Sequence, residues 1–238
     1  MTILMLDQLC FQFPEREYPA VSHLDLTIER GDFVILLGSN GSGKSTLLKL
    51  LNRTHTPPKN KIHFAGRCVT QYALNKYAKQ VSLLTQNCSE SLFNSLTLYE
   101  NYLLHSQGNP LKPEALQHYL HDFNPNLCKK LNCLTTALSG GEKQAFALAM
   151  CLSIPPQLLL LDEHTSALDP KTSQQIMMLT ARKIKEHHIT CILTTHDLDI
   201  ALTYGNKIIV LAEGKMLTTF SYDEKQQLTK EKLLASCF

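Results

Sequence analysis

Gly38-Ser39-Asn40-Gly41-Ser42-Gly43-Lys44-Ser45 stands between a continuously apolar pentapeptide, Phe33 to Leu37, and a stretch of helical period, Lys44 to Leu51. The spacing G-x-x-x-x-G-K-S between a strand and a helix suits the phosphates of a nucleotide. Its glycines let the backbone turn with positive φ and approach oxygen atoms closely. Successive N–H groups then converge, and the helix start adds its partial positive charge. Lys44 supplies a full charge, Ser45 a hydroxyl for a divalent cation, and Thr46 completes the phosphate-binding set. A second cluster is Asp162-Glu163, which ends the four-leucine run Leu158 to Leu161. Two carboxylates at the carboxyl end of a buried strand are expensive unless they face a cation or water. Asp162 suits Mg²⁺, through a water, and Glu163 suits a base that polarises an attacking water. A third cluster, Ser139-Gly140-Gly141, opens the helical stretch to Leu152 and offers another helix N-terminus to an anion.

These clusters need a scaffold, and the pattern of the chain describes one. Leu24 to Ile28 alternates apolar and polar with period two, and the part from residue 2 to 36 reads as strands. Phe33–Leu37, Val81–Leu84, Leu158–Leu161, Thr190–Thr194 and Lys207–Leu211 are apolar runs of strand length, and helices are expected at 170–187 and 197–204. Strand–helix alternation implies a parallel sheet covered on both faces. Between about 87 and 156 the β-branched runs vanish and helical periods dominate, over Leu96–His105, Pro113–Asp122 and Gly140–Leu152. The fold class expected is therefore α/β: a phosphate-loop NTPase core with a parallel sheet, an N-terminal antiparallel β-subdomain, and a helical subdomain inserted at 87–156 of a single domain spanning 1–238. A last helix, Lys230 to Cys237, is expected to turn Leu233 and Leu234 inward.

Composition narrows the function. Lys and Arg number 23 against 21 Asp and Glu, with no basic stripe of the kind that nucleic-acid binders show. The longest apolar run, Ala145 to Leu152, falls far short of the ~20 residues that span a bilayer, and the start of the chain does not read as a signal peptide. Eight cysteines without a CxxC pair suit free thiols in a reducing compartment. His187-His188 is read as a solvated pair at a helix end.

The three clusters, in this order, resemble the ATP-binding cassette (ABC) ATPases, with Leu138-Ser139-Gly140-Gly141-Glu142 matching the family's signature motif. The resemblance runs from about Leu4 to Phe220 and implies ATP and Mg²⁺ as ligands. It makes Gln86 the glutamine that senses Mg²⁺ and water and links the core to the helical insert. Ser166-Ala167-Leu168-Asp169 becomes the D-loop, and His196 the switch histidine that contacts the γ-phosphate. An aromatic near the N-terminus should stack on adenine; Phe13 aligns best and Tyr18 is the alternative. The resemblance further implies a head-to-tail homodimer in which ATP lies between the phosphate loop of one copy and Ser139 and Gly141 of the other. Two departures stand out: His164 where many relatives have proline, a ring that either reaches the nucleotide edge or only shapes the turn before Asp169, and Ala145 where many have arginine.

A single cassette without a membrane segment resembles the separate ATPase subunits of bacterial importers, which work under an integral membrane permease and, indirectly, a substrate-binding protein. Such a subunit sits on the cytoplasmic face of the membrane. The segment Asp162 to Lys171 and the tail near Glu224 to Leu234 resemble an uptake group for small solutes, amino acids among them. The permease would be gripped around Asn87 to Leu98, where Leu92, Phe93 and Leu96 are read equally as groove or as core. The rival reading is a soluble ABC ATPase outside transport, for example in iron–sulfur assembly.

Overall fold

The computed structural model describes residues 1–88, 91–106 and 108–237. By its contacts the chain divides into two compact units. One holds Met1–Leu83, Gln157–Asp162 and the segment from His188 onward; the other holds Leu84–Pro156 and Glu163–His187.

In the first unit, the period-two run at Leu24–Ile28 is the middle of β2 (Val21–Glu29), which pairs antiparallel with β1 (Thr2–Phe11). β4 (Ile62–Phe64) pairs with the other edge of β1 and β5 (Arg67–Cys68) follows it, so this sheet reads β2-β1-β4-β5. The second sheet is ordered β10-β9-β3-β8-β7-β6, with β3 (Phe33–Leu37), β6 (Val81–Leu84), β7 (Leu158–Asp162), β8 (Thr190–Thr195), β9 (Lys207–Ala212) and β10 (Lys215–Phe220). β9, β3, β8 and β7 run parallel, while β10 closes one edge antiparallel to β9. The parallel strands are buried along their length because both faces are covered. Val34 and Leu36 share one apolar cluster with β1, β2 and Leu47, Leu48, Leu50 and Leu51 of α1 (Lys44–Leu51), whereas Ile35 and Leu37 are buried on the opposite side. α2 (Leu74–Ala78) places the buried Tyr77 against that cluster.

The second unit is helical: α3 (Leu98–His105), α4 (Pro113–His121), α5 (Gly140–Leu152) and α6 (Pro170–Glu186). α3 starts two residues later than its apolar period suggests, because Thr97 and Glu100 form a capping box there. Asn101 of α3 is fully buried. Its amide donates to the carbonyls of Phe93 (3.0 Å), Leu96 (3.2 Å) and Thr97 (2.9 Å), and its Oδ1 accepts from the Phe93 N–H at 2.8 Å. Leu92 is core, Leu96 half-buried and Phe93 exposed, so this stretch divides between the two readings of it. His187 caps the carboxyl end of α6.

The first unit finishes with α7 (Leu198–Thr203), α8 (Tyr222–Gln226) and α9 (Lys230–Ala235). α9 ends before Cys237, and it turns only Leu233 inward: Leu233 is fully buried, while Leu234 is exposed. Adjacent helix positions lie about 100° apart, and α9 is docked through Leu233, which leaves Leu234 on the solvent side. No helix among the described residues is long and apolar enough to cross a membrane.

Candidate functional site

The phosphate-loop motif lies at the carboxyl end of β3 and feeds α1. Gly43 caps that helix with φ +102° and, having no side chain, supplies no side-chain bond to its first turn. A Cβ on Gly43 would come 2.3 Å from the Ala20 carbonyl oxygen, and one on Gly38 would come 2.3 Å from that of Leu211. Only glycine lets the loop seat between the start of β2 and the end of β9. Gly214, in the turn between β9 and β10, donates its N–H to the Ser42 carbonyl at 3.0 Å and accepts from Ser22 N–H at 2.8 Å. The Lys44 ammonium donates to the carbonyls of Gly38 (2.8 Å) and Ser39 (3.0 Å), which draws it back over the loop. Ser42 Oγ is buried without a hydrogen-bond partner. A buried hydroxyl left unpaired costs on the order of 1–3 kcal/mol, a cost that an anion accepting from it would relieve. Ser39, Asn40, Gly41 and Ser45 are exposed, and Thr46 is partly so.

Asp162 ends β7 beside this loop and is buried. Its Oδ1 accepts from Ser45 Oγ at 3.0 Å and from Thr194 Oγ1 at 2.7 Å. The sequence reading missed Thr194; its only local sign is that it is one of two threonines that follow the apolar run 191–193 of β8. The all-oxygen set of Ser45 and Asp162 suits Mg²⁺, which takes one or two carboxylates together with substrate phosphates and waters. Among the described residues no group of three His, Cys, Asp or Glu side chains could hold a metal, so a cation here would depend on the phosphates for ligands. His196 is exposed, directly after β8.

A pocket of about 700 Å³ opens beside the loop, and its lining includes Arg16, Tyr18, Ala20, Gly41, Gly214 and Lys215. Phe13 is not part of it. Its ring packs edge-on against Phe11 (5.0 Å between centroids) and His55 (5.4 Å), with the Arg16 guanidinium over it. Tyr18 is largely exposed on the pocket wall, so of the two aromatic candidates Tyr18 is the one that lines this pocket. Lys215 and Gly214, which the sequence reading did not single out, enter through the β9–β10 turn.

In the second unit, Ser139 caps α5 in a complete capping box: Glu142 N–H donates to Ser139 Oγ (3.3 Å), and Ser139 N–H donates to Glu142 Oε2 (2.9 Å). The Lys130 ammonium meets both Glu142 oxygens, at 2.7 and 2.8 Å. Burial works against the Glu142 charge, but the Lys130 ammonium and the Ser139 N–H outweigh it and hold the carboxyl below its ordinary range. Gly141 is as small as it must be, since a Cβ there would lie 2.6 Å from Thr172 Cγ2 of α6. Ser139 and Gly140 are exposed.

The same unit holds Gln86, Glu163 and Asp169. Glu163 carries φ +43°, a conformation costly for a residue with a side chain, directly after Asp162. Ser166 Oγ donates to the Glu163 carbonyl at 2.9 Å and accepts from Gln86 Nε2 at 3.1 Å. Asp169 caps α6 through Thr172, whose side chain and N–H hold its carboxyl below the ordinary range. His164 does not turn toward a ligand. It is buried, its Nε2 lies 3.2 Å from Thr180 Oγ1, and that hydroxyl already donates to Ile176 O at 2.7 Å, so the imidazole donates from Nε2. Burial pushes its pKa down to about 3, which keeps it neutral. His164 therefore fixes the turn onto α6, and the alternative of a nucleotide contact is not what the structure shows.

A family model described as ABC transporter matches residues 21–166, the stretch that carries the loop, the signature turn and Asp162-Glu163. The chain belongs to the ABC transporter family. It is 36% identical to a tyrosine transport ATP-binding protein of Clostridioides difficile (strain R20291), over 89% of this chain and 88% of that one. It is 30% identical to the methionine import ATP-binding protein MetN of Lactobacillus acidophilus, over 97% of this chain and 70% of that one. The fold superposes with a TM-score of 0.79, at 25% identity and over 92% of this chain and 99% of the other, on the ATP-binding cassette MJ0796, solved as a dimer in a post-hydrolysis state with ADP and phosphate. As in the ABC family, ATP is the nucleotide and its hydrolysis the reaction.

Proposed function

We propose that this chain is the ATP-hydrolysing subunit of an ABC transporter that takes up a small solute, an amino acid being the class favoured by the relatives' names, through a separate integral membrane permease supplied by a substrate-binding protein. The observation that carries the chemical part is the Ser45–Asp162–Thr194 hydrogen-bonded set beside a helix start whose glycine cap supplies no side-chain bond, with a buried Ser42 hydroxyl that has no hydrogen-bond partner among the described residues. These are groups arranged for an anion and a hard cation.

In this reading the triphosphate of ATP lies over Gly38–Thr46, where the N–H groups of the loop and α1 replace its water and Lys44 leaves the two loop carbonyls for the β- and γ-phosphates. Tyr18, rather than Phe13, stacks on adenine in the 700 Å³ pocket. When bound, Mg²⁺ neutralises charge that develops on the β- and γ-phosphates; Ser45 and Asp162 hold it, with Gln86 completing its surroundings. Glu163 accepts hydrogen from the attacking water, aimed by its left-handed backbone, and His196 donates to the γ-phosphate. Ser139, Gly140 and Gly141 of a second copy close over the same phosphate, with Asp169 at that junction, in a head-to-tail homodimer that ATP joins and hydrolysis releases. The division into one domain with a helical insert at 87–156 belongs to this reading, as do the permease contact through the segment around Phe93 and a peripheral place on the cytoplasmic face of the membrane. Nucleic acid has no part in it.

The test is to pull tagged Glu163→Gln protein with Mg²⁺ and ATP from native membranes and identify what accompanies it. A polytopic membrane protein enriched over a Ser139→Arg control is expected. A soluble assembly partner alone would overturn the transport part, and phosphate release by the purified wild-type protein, abolished by chelating Mg²⁺, separately tests the ATPase part.

A further inference from the structure

α7 starts two residues after His196 and is only six residues long, too short to hold its shape alone. Its amino end is tied to the strand before it: Asp197 Oδ1 accepts from the N–H groups of Asp199 (2.7 Å) and Ile200 (3.3 Å), and Thr195 Oγ1 accepts from Asp197 N–H at 3.0 Å. Its carboxyl end runs into Tyr204-Gly205-Asn206, which is pressed on β3. Asn206 N–H donates to Phe33 O at 2.8 Å, Asn206 Oδ1 accepts from Phe33 N–H at 2.9 Å, and Gly205, at φ +74°, has no room for a Cβ against Phe33 O.

The segment after β10 grips this helix at both ends. Lys225 of α8 is buried, and its ammonium donates to the carbonyls of Tyr204 and Gly205, the latter at 2.7 Å. No carboxylate pairs with it among the described residues. Lys230 at the start of α9 reaches both Asp199 oxygens at 2.7 Å, and the fully buried Leu233 anchors α9 beneath. A cation at the carboxyl end of a helix satisfies its last carbonyls. Burying an ammonium among neutral groups is nonetheless costly, and here burial pulls Lys225 down to about 8. An apolar side chain would fill the space at lower cost. What the ammonium adds is a fixed location for two carbonyls.

We propose that Lys225 and Lys230 are positioning residues for ATP hydrolysis: they brace α7 at both ends and so hold His196 where the γ-phosphate arrives. The proposal rests on the role assigned above to His196, and its test separates the two. Amide hydrogen exchange across 197–204 is measured in Lys225→Met, Lys225→Arg and Lys230→Met, along with kcat and KM for ATP with Mg²⁺. Lys225→Met should speed exchange in 197–204 on the order of tenfold while β8 is unchanged, and lower kcat about fivefold to twentyfold with KM within about twofold. Lys225→Arg, which keeps the charge, should restore both, and in a His196→Ala background Lys225→Met should cause no further loss. Unchanged exchange in 197–204, or an undiminished kcat loss in that background, overturns the brace. Should Lys225→Met fail to fold, the exposed tie carries the test: Lys230→Met should speed exchange at the first turn of α7, and wild-type exchange there overturns the proposal. If His196→Ala retains full turnover, the role given to His196 falls, and the exchange data still decide whether the tail holds α7.

Discussion

Two helix starts in this molecule are built from serine and glycine, and they are finished in opposite ways. At α1 the cap is Gly43, which has no side chain to bond the first turn, and the neighbouring Ser42 hydroxyl is buried without a hydrogen-bond partner among the described residues. At α5 the cap is Ser139, whose hydroxyl and N–H are both engaged by Glu142, itself fastened to Lys130. The first end has no side-chain cap of its own and keeps a buried hydroxyl in reserve. The second is complete within the chain and presents a rigid turn with its serine exposed. The pair suits the site proposed above, in which one helix would bind the phosphates and another, from a second copy, would be offered to them ready-made.

The difference can be broken or sharpened by substitution. The largest effect is expected from Glu163→Gln, which should cut ATP turnover about 10²–10⁴-fold with ATP affinity nearly unchanged, in parallel assays of phosphate release and equilibrium binding; brisk turnover would remove Glu163 as the base. Lys44→Ala takes the charge from the open helix start and should weaken ATP binding about 10–100-fold, the scale of one charge-assisted contact, measured by titration calorimetry. The two serines should then separate in chemical denaturation. Ser139→Ala breaks the finished cap and should cost about 1 kcal/mol of stability, whereas Ser42→Ala removes an unpaired hydroxyl and should be neutral or slightly stabilising. Equal losses would mean that the ends are not built differently. The smallest effect concerns acid. The folded Glu142 carboxyl sits below its unfolded value, so its contribution is complete above the unfolded carboxylate pKa and drains away as pH falls through the lower folded one. Glu142→Gln should flatten that part of the stability–pH curve and leave neutral pH almost unaffected in slope.

Much of this was legible because it is local. The loop from Gly38 to Ser45, the helix Lys44–Leu51 and the helix Gly140–Leu152 each declare themselves within a dozen residues, by glycine spacing or an apolar period. β4, β5, α2 and α8 were not visible, since stretches of two to five residues carry no measurable period. Nor could the sequence choose between Phe13 and Tyr18. What removes Phe13 from the pocket is a ring cluster with His55, far along the chain. Thr194 on Asp162 and Lys130 on Glu142 are likewise long-range pairings that no short pattern announces. Leu234 was misplaced because α9 is a short helix docked through one side chain, Leu233, and the adjacent position, about 100° round, stays in solvent.

Asn101 ties Phe93, Leu96 and Thr97 through a single side chain. Because these bonds converge on one buried amide, displacing that side chain would release all of them together. Phe93, exposed on that backing, is held in place beforehand, so in the proposed permease contact a subunit docking there would forfeit little conformational entropy.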